Sequence, residues 1–451
     1  MFLDPEKPLS LAMNPSKFRA LTLIFMSCLT ATTTAHLLGQ TVDQPNIVLI
    51  MADDLGYECV SANGGSSYQT PCLDQLAKSG MRFEHCYSQP LCTPSRVKIM
   101  TGVYNIRNYT KFGVLPETET TFANLLRDAG YETCIVGKWQ LKGTPQQFGF
   151  DESCLWQLNR VPERYPNPGL EINSKRVDFK NGEYGPDIVS DFACDFIRRK
   201  RDKPFLVYYP MILTHCPFGP TPDSPAWDPT SKGSPTYKGD PQYFPDMVAY
   251  MDKIVGKLAT TLEETGQSQN TLVIFTGDNG TDKPIVSMMG EQQVVGGKKK
   301  MTDAGTRAAM IAHWPGTIAQ GRVSQDLVDF SDFLPTFCAA AHVKIPATLK
   351  IDGVSFLPQL LGETGAPRQW VYCWFSRNGE GKGQQWARNQ QWKLYGDGRL
   401  YDISTDPLEQ SPIAQATLTA VQASNHSMLQ AVLNGFREAR PKQTPPPPKS
   451  K

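Results

Sequence analysis

Two short clusters of oxygen-bearing side chains stand out along the chain, Asp53-Asp54 and Asp278-Asn279. Each directly follows an apolar run rich in β-branched residues, Asn-Ile-Val-Leu-Ile-Met at 46–51 and Thr-Leu-Val-Ile-Phe at 271–275. Four oxygen donors with no cysteine or clustered histidine beside them suit a hard cation, calcium or magnesium, better than zinc. Taken singly, either cluster reads as turn or cap chemistry, since Asp-Asp and Asp-Asn-Gly are common turn formers. Two of them, each after an apolar strand, point to a metal. The third feature is Cys92 within Cys92-Thr-Pro-Ser-Arg96. Alone, such a cysteine is a buried or disulfide-bonded thiol, or a redox thiol at a helix N-terminus.

The elements that must position these residues are legible. Continuous apolar runs of this length read as strands buried on both faces, and 131–137 and 205–211 give two more. Phe122, Leu125 and Leu126 share a helical face within 121–129, stopped by Gly130. Val248, Met251, Ile254, Val255, Leu258 and Leu262 recur at helical spacing before Gly266. Strands alternating with helices predict an α/β fold: a large mixed, mostly parallel sheet flanked by helices. Ligand sites of such sheets lie beyond the carboxyl ends of the strands, where both acid clusters fall. Segments 144–187 and 214–243 read as long loops. After a Gly/Pro-rich break at 362–367, the pieces 370–375, 391–395 and 399–401 predict a small C-terminal α+β subdomain built on an antiparallel sheet. A helix near 412–440 and a disordered Pro/Lys tail complete the chain.

Lys17 and Arg19 precede an apolar run at 20–29 and small residues at 30–35, the order of a secretory signal peptide and too short to span a bilayer. Met13 is an alternative start that gives a more compact signal. Cys28 lacks a lipoprotein cleavage box. The expected organisation is therefore a signal peptide and leader (1–40), a catalytic domain (41–362), the C-terminal subdomain (363–440) and the tail (441–451). The product is exported, periplasmic or secreted, with no membrane span once the signal is removed. Lys plus Arg (45) balance Asp plus Glu (44), giving +1, without the basic footprint that nucleic-acid binding leaves. Some of the 11 cysteines should pair in an oxidising compartment, with no connectivity readable.

Cys92-x-Pro-Ser-Arg96 resembles the signature that type I sulfatases, members of the alkaline-phosphatase-like superfamily, present for oxidation of the cysteine to formylglycine. The company it keeps is similar in order along the chain. Residues 45–56, with Asp53 and Asp54, look like the family's opening strand and metal aspartates, and 71–83 fits its following helix. Gly137-Lys138-Trp139 resembles a Gly-Lys-Trp-His element, His215-Cys-Pro217 a His-x-Pro, and Gly277-Asp-Asn-Gly280 the second metal pair. Gly297-Lys298 and Asp303-Ala-Gly-Thr-Arg307 resemble a Gly-Lys…Glu-Gly-Gly-x-Arg segment, and 392–409 the C-terminal subdomain.

The resemblance implies hydrolysis of sulfate esters, of sulfated carbohydrates or aryl sulfates, to alcohol and inorganic sulfate. It implies one Ca2+ per chain, bound by Asp53, Asp54, Asp278, Asn279 and the formylglycine made from Cys92 by a formylglycine-generating maturation enzyme. In the family one hydroxyl of the hydrated aldehyde attacks sulfur and the other later expels sulfate. Arg96 and Lys138 would position and polarise this diol. Lys138, His215 and Lys298 would bind the substrate, a sulfated small molecule or polysaccharide, and His215 or Lys298 would protonate the leaving alcohol. Lys299 and Lys300 read as solvated surface lysines.

Gln140 departs from the family, which has a histidine there as the base for sulfate elimination. Glutamine cannot act as a base near neutral pH. Solvent or His85 then serves, or turnover is slow, which leaves open a weakly active relative that binds sulfated glycans. A phosphonate or phosphodiester hydrolase on the same fold is the other alternative. A two-zinc phosphatase needs histidines, and this chain has six, none clustered. Specificity should lie in the two long loops, where Trp156, Arg160, Arg164 and Tyr165 would suit either a sugar-binding rim or a packed loop.

Overall fold

The run at 46–51 forms strand β1 (Asn46–Ala52), buried along its whole length. Its side chains alternate between two cores. Ile47, Leu49 and Met51 enter one, Val48, Ile50 and Ala52 the other. With both faces covered, nothing requires a polar alternation in the sequence. Along the chain follow β2 (Met81–Tyr87), β3 (Glu132–Trp139), β4 (Glu152–Gln157), β5 (Gly169–Ile172) and β6 (Lys175–Asp178). Next come β7 (Phe205–Pro210), β8 (Thr271–Gly277), and a hairpin of β9 (Val286–Met289) and β10 (Gln292–Val295). β11 (Arg307–Ala308), β12 (Met310–His313) and β13 (Arg322–Asp329) close this part of the chain.

The large sheet has the order β11-β2-β12-β8-β1-β7-β3-β4-β5-β6, with β13 beside β2. From β8 to β4 every neighbouring pair is parallel. Antiparallel strands flank this centre on both sides, so the sheet is mixed and mostly parallel at its middle. Helices Gly185–Arg199 and Phe244–Glu264 bury Val189, Phe196, Met251 and Leu258 against one face. Helices Cys92–Thr101, Phe122–Asp128 and Phe333–Ala340 bury Val97, Leu126 and Phe337 against the other.

A second sheet pairs β14 (Val371–Phe375), β15 (Gln384–Arg388), β16 (Trp392–Tyr395) and β17 (Leu400–Asp402) in antiparallel order. Tyr372, Trp374 and Leu394 join the first core, together with Leu429 and Leu433 of helix Ala420–Gly435. Val371, Cys373 and Trp386 on the opposite face pack on Tyr87 and Met301.

These features belong to a computed structural model that describes residues 44–157, 164–200 and 202–441. The expected signal segment, nearly all of the expected tail, and Arg160 lie outside the described residues. Among those described, no helix is long and apolar enough to cross a membrane.

Several expectations change. The helix expected at 71–83 ends at Ser79, and Gly80 leads into β2, because alternation in Met81–Tyr87 suits a strand buried mainly on one side. The expected loop 144–187 holds β4, β5, β6 and the start of a helix. Segment 214–243 is irregular apart from one helical turn at Pro241–Tyr243. Strand β15 escaped notice because Gln384 and Gln385 give it no apolar run. The ten described cysteines are all unpaired, and all but Cys72 and Cys92 are dispersed among the apolar side chains of three separate cores, which corrects the expected pairing.

Candidate functional site

Strands β8, β1, β7 and β3 are parallel neighbours, so their carboxyl ends open on the same edge of the sheet. The register sets Ala52 of β1 opposite Gly277 of β8, so Asp53-Asp54 and Asp278-Asn279 leave the sheet level with each other. Lys138 is the penultimate residue of β3, Gln140 follows the strand's end, and His215 comes five residues after β7. Helix Cys92–Thr101 begins at Cys92, and the four-residue spacing brings Arg96 to the same face one turn on. Lys298 enters from the segment after β10. Cys92 is 2 % exposed, and Asp53, Asp54, Asp278 and Asn279 are all fully buried.

The backbone is shaped around the acids. Asp54 takes a left-handed φ of 60°, uncommon for a residue with a side chain. That turn lets its N–H donate to Asp278 Oδ1 at 3.0 Å, while the Asp53 N–H donates to the Leu213 carbonyl at 2.9 Å. The cations then partition among the carboxylates. Lys138 Nζ lies 2.5 Å from Asp53 Oδ2, Arg96 Nη2 3.0 Å from Asp278 Oδ2, and Lys298 Nζ 2.5 Å from Asp54 Oδ2. His215 Nε2 stands 3.7 Å from the same Asp54 oxygen.

Burial dominates the proton affinities. It pushes Asp278 up to about 8, reinforced by the neighbouring Asp53 charge and only partly offset by Arg96. It also pushes Asp53 upward, but the Lys138 and Arg96 cations outweigh it and hold that carboxyl below its ordinary range. Burial and then Lys298 hold the His215 imidazole well below its ordinary value, so the ring is neutral. The Cys92 thiol is pushed up by burial, which makes it a poor thiolate redox site as it stands.

Two buried oxygens in this cluster have no partner, Asp53 Oδ1 and Asn279 Oδ1. Ligand atoms of Asp53, Cys92 and Asp278 lie within 4.8 Å of one another, as do those of Asp53, Asp54 and His215. Orphaned buried acceptors are costly. A hard cation accepting both oxygens removes that cost and relieves the Asp53 repulsion that adds to the effect of burial on Asp278, so the donor set fits calcium or magnesium.

Cys92 Sγ donates to Gln140 Oε1 at 2.9 Å, and Thr93 Oγ1 to the same oxygen at 3.4 Å. His85 lies elsewhere, in a 460 Å³ cavity lined by Tyr57, Glu58, Arg307 and Arg388, which corrects its expected candidacy as the base. Trp156 and Tyr165 are buried rather than forming a rim. Arg164 packs 4.2 Å over the Trp156 ring, and its Nη1 reaches His215 Nδ1 at 3.1 Å. The Tyr165 hydroxyl donates to the His215 carbonyl. Sequence reasoning missed Arg164 and Tyr165 as supports of His215, since no motif marks the loop that carries them.

Residues 45–343 match the Sulfatase family, and residues 290–434 match the C-terminal region of N-sulphoglucosamine sulphohydrolase. The chain is 33 % identical over 357 residues to N-acetylgalactosamine-6-sulfatase of Mus musculus, covering 70 % of this chain and 66 % of that enzyme. It is 31 % identical over 411 residues to arylsulfatase A of Homo sapiens, covering 80 % and 77 %. A solved structure of BT4656 with its substrate D-glucosamine-2-N,6-O-disulfate superposes with a TM-score of 0.74 at 25 % identity, covering 89 % of this chain and 100 % of that one. Matching in both the sheet that carries the buried acids and the small sheet behind them, the chain belongs to the type I sulfatase family of sulfuric ester hydrolases, within the alkaline-phosphatase-like superfamily.

Proposed function

We propose that this chain hydrolyses sulfate esters, of sulfated carbohydrates or aryl sulfates, releasing alcohol and inorganic sulfate. The observation that carries the reading is the pair of orphaned oxygens, Asp53 Oδ1 and Asn279 Oδ1, in the cluster that also holds Cys92 at a helix N-terminus. Asp53, Asp54, Asp278 and Asn279, with the side chain at position 92, would hold one Ca2+. Bound there, the ion would offset negative charge on a sulfate oxygen and on the nucleophile.

Oxidation of Cys92 to formylglycine, by a maturation enzyme acting on Cys92-Thr-Pro-Ser-Arg96, would supply after hydration two hydroxyls on one carbon. Arg96 and Lys138, each tied to a carboxylate, hold fixed positive charge beside that carbon. Lys298 and His215, converging on Asp54, bind the sulfate, and one of them passes a proton to the leaving alcohol. Arg164 and Tyr165 fix the His215 ring and its backbone. Three carboxylates face three cations here, so a divalent ion leaves excess positive charge for an anionic substrate to meet. Segment 1–40 would export the chain to a periplasm or the exterior.

One observation favours a second reading. The thiol's hydrogen-bond partner is Gln140 Oε1, an acceptor without basicity. A relative that binds sulfated glycans and turns over slowly fits that contact. Sulfate release from a generic aryl sulfate and hydrolysis of a matched phosphodiester, each with and without calcium chelation, separate the readings. Chelator-sensitive release of sulfate alone supports the sulfatase, and preferential phosphodiester hydrolysis overturns it.

A further inference from the structure

Several hydrogen bonds join the loop that carries Asp53 and Asp54 to the loop that carries Asp278 and Asn279. The Asp54 N–H donates to Asp278 Oδ1 at 3.0 Å, and the Asn279 amide donates to Asp54 Oδ1 at 2.9 Å. Both bonds use side-chain oxygens of the proposed metal ligands. Another does not. The Gly56 N–H, two residues past Asp54, donates at 3.0 Å to Oγ1 of Thr281, two residues past Asn279. This bond can hold the loops together whether or not an ion occupies the cluster.

Glu58 orients the acceptor in that bond. Thr281 Oγ1 donates its single proton to Glu58 Oε1, which leaves its lone pairs for the Gly56 N–H and for the Cys59 thiol, 3.3 Å away. Glu58 and Thr281 are both buried. A carboxyl taken out of water without a charged partner is costly. Among the described residues no cation lies within ion-pair distance of Glu58. Burial pushes its carboxyl above the ordinary range, opposed by hydrogen bonds alone, that of Thr281 foremost. The chain leaves room for it at Gly56. The backbone there is extended, with φ −73° and ψ 165°, a conformation open to any residue, so glycine is not needed for its flexibility. A methyl group at that position would overlap Oε1, Oε2 and Cδ of Glu58.

We propose that Glu58 is a positioning residue of the candidate metal site: its carboxyl, seated over Gly56, orients the Thr281 hydroxyl and so latches the Asp53-Asp54 loop to the Asp278-Asn279 loop. The proposal rests on the reading of those four residues as calcium ligands. Glu58 makes no hydrogen bond to any of them and acts through Thr281 and Gly56. With the loops latched, the oxygens stand assembled before the ion arrives, and less order has to be imposed on binding. The hydrogen bond does this rather than the charge, so a neutral acceptor of the same shape can replace the carboxyl.

Two measurements on the full chain test the latch without any substrate: calcium affinity by titration calorimetry, and hydrogen exchange of peptides spanning 53–60 and 276–283 in the calcium-free protein. Glu58→Ala should weaken calcium binding about 10–100-fold, the loss typical of an outer-shell partner, and should speed exchange at the Gly56 amide. Thr281→Val should do the same. Glu58→Gln keeps an acceptor for Thr281 and should restore both readouts. Gly56→Ala should weaken binding by displacing the carboxyl, yet in the Glu58→Ala background it should add no further loss. Exchange in helix Ala420–Gly435, in the other subdomain, should stay unchanged in every variant. Unchanged affinity in Glu58→Ala, a loss that Glu58→Gln does not restore, or losses at 56 and 58 that simply add would overturn the latch. Faster exchange throughout the chain would also overturn it, since Glu58 would then support the fold rather than the site. If the unmutated chain binds no calcium, the metal reading fails instead, and exchange of the two loops still decides whether Glu58 latches them.

Discussion

The Cys92 thiol donates its hydrogen bond to Gln140 Oε1 at 2.9 Å. The residue that departs from the family pattern is therefore in direct contact with the side chain from which the proposed nucleophile would be made. It accepts a proton's hydrogen bond without being able to take the proton.

Replacement of Gln140 by histidine tests the consequence. In the proposed mechanism attack on sulfur would keep its full set of groups, while sulfate elimination would lack a base worth on the order of 10²–10⁴ in rate. Stopped-flow assay of the matured chain should show a burst of alcohol before slow turnover. Gln140→His should raise the steady state and shrink the burst. No burst, with lower activity in the variant, would make glutamine a working part of the site.

Mass spectrometry of the tryptic peptide containing Cys92, taken from cells with a formylglycine-generating enzyme, should show the exchange of thiol for aldehyde. Cys92→Ala should lower turnover to background. Active protein carrying only unmodified cysteine would remove the proposed nucleophile.

Asp54 holds Lys298 and accepts from the Asn279 amide at 2.9 Å, besides facing the two orphaned oxygens' cluster. Asp54→Ala takes away a proposed ligand and the anchor of Lys298 together. Calcium affinity, measured by titration calorimetry, should fall by more than the about 10–100-fold typical of losing an outer-shell partner. Turnover should collapse with it. Full zinc occupancy, or activity indifferent to chelators after dialysis, would count against the site.

His85 supplies a pH dependence away from the reaction centre. Burial, reinforced by Arg388 and Arg307, lowers its ring to about 4. The folded chain thus refuses a proton that the unfolded chain accepts near pH 6.5, so stability is full above that value and declines as pH falls toward 4. The decline amounts to about 3 kcal/mol at most, and it stops below both values. Denaturant unfolding between pH 7 and 4 should show a shallower slope in His85→Gln. Unchanged turnover in that variant would confirm that His85 is not the missing base.

Much of the candidate site was legible in the sequence because parallel strands end on one edge. Asp53 and Asp278 could be brought together from two apolar runs alone, since the topology leaves strand ends few other places to go. Cys92 and Arg96 likewise follow from helical spacing. Other features depended on partners distant in sequence. Whether Lys298 or Lys299 faces the acids depends on a left-handed turn tied to Pro90, which no local pattern announces. Strand β15 is stabilised by neighbours 371–375 and 392–395 rather than by its own polar start. The support of His215 by Arg164, and the removal of His85 to another cavity, arise from packing across the sheet. By itself the sequence determined the chemistry available, the strand ends that carry it and the family that uses it. Only the tertiary structure decided which cations are spent on carboxylates and which stand free, because charge pairing depends on distance and burial rather than on order along the chain.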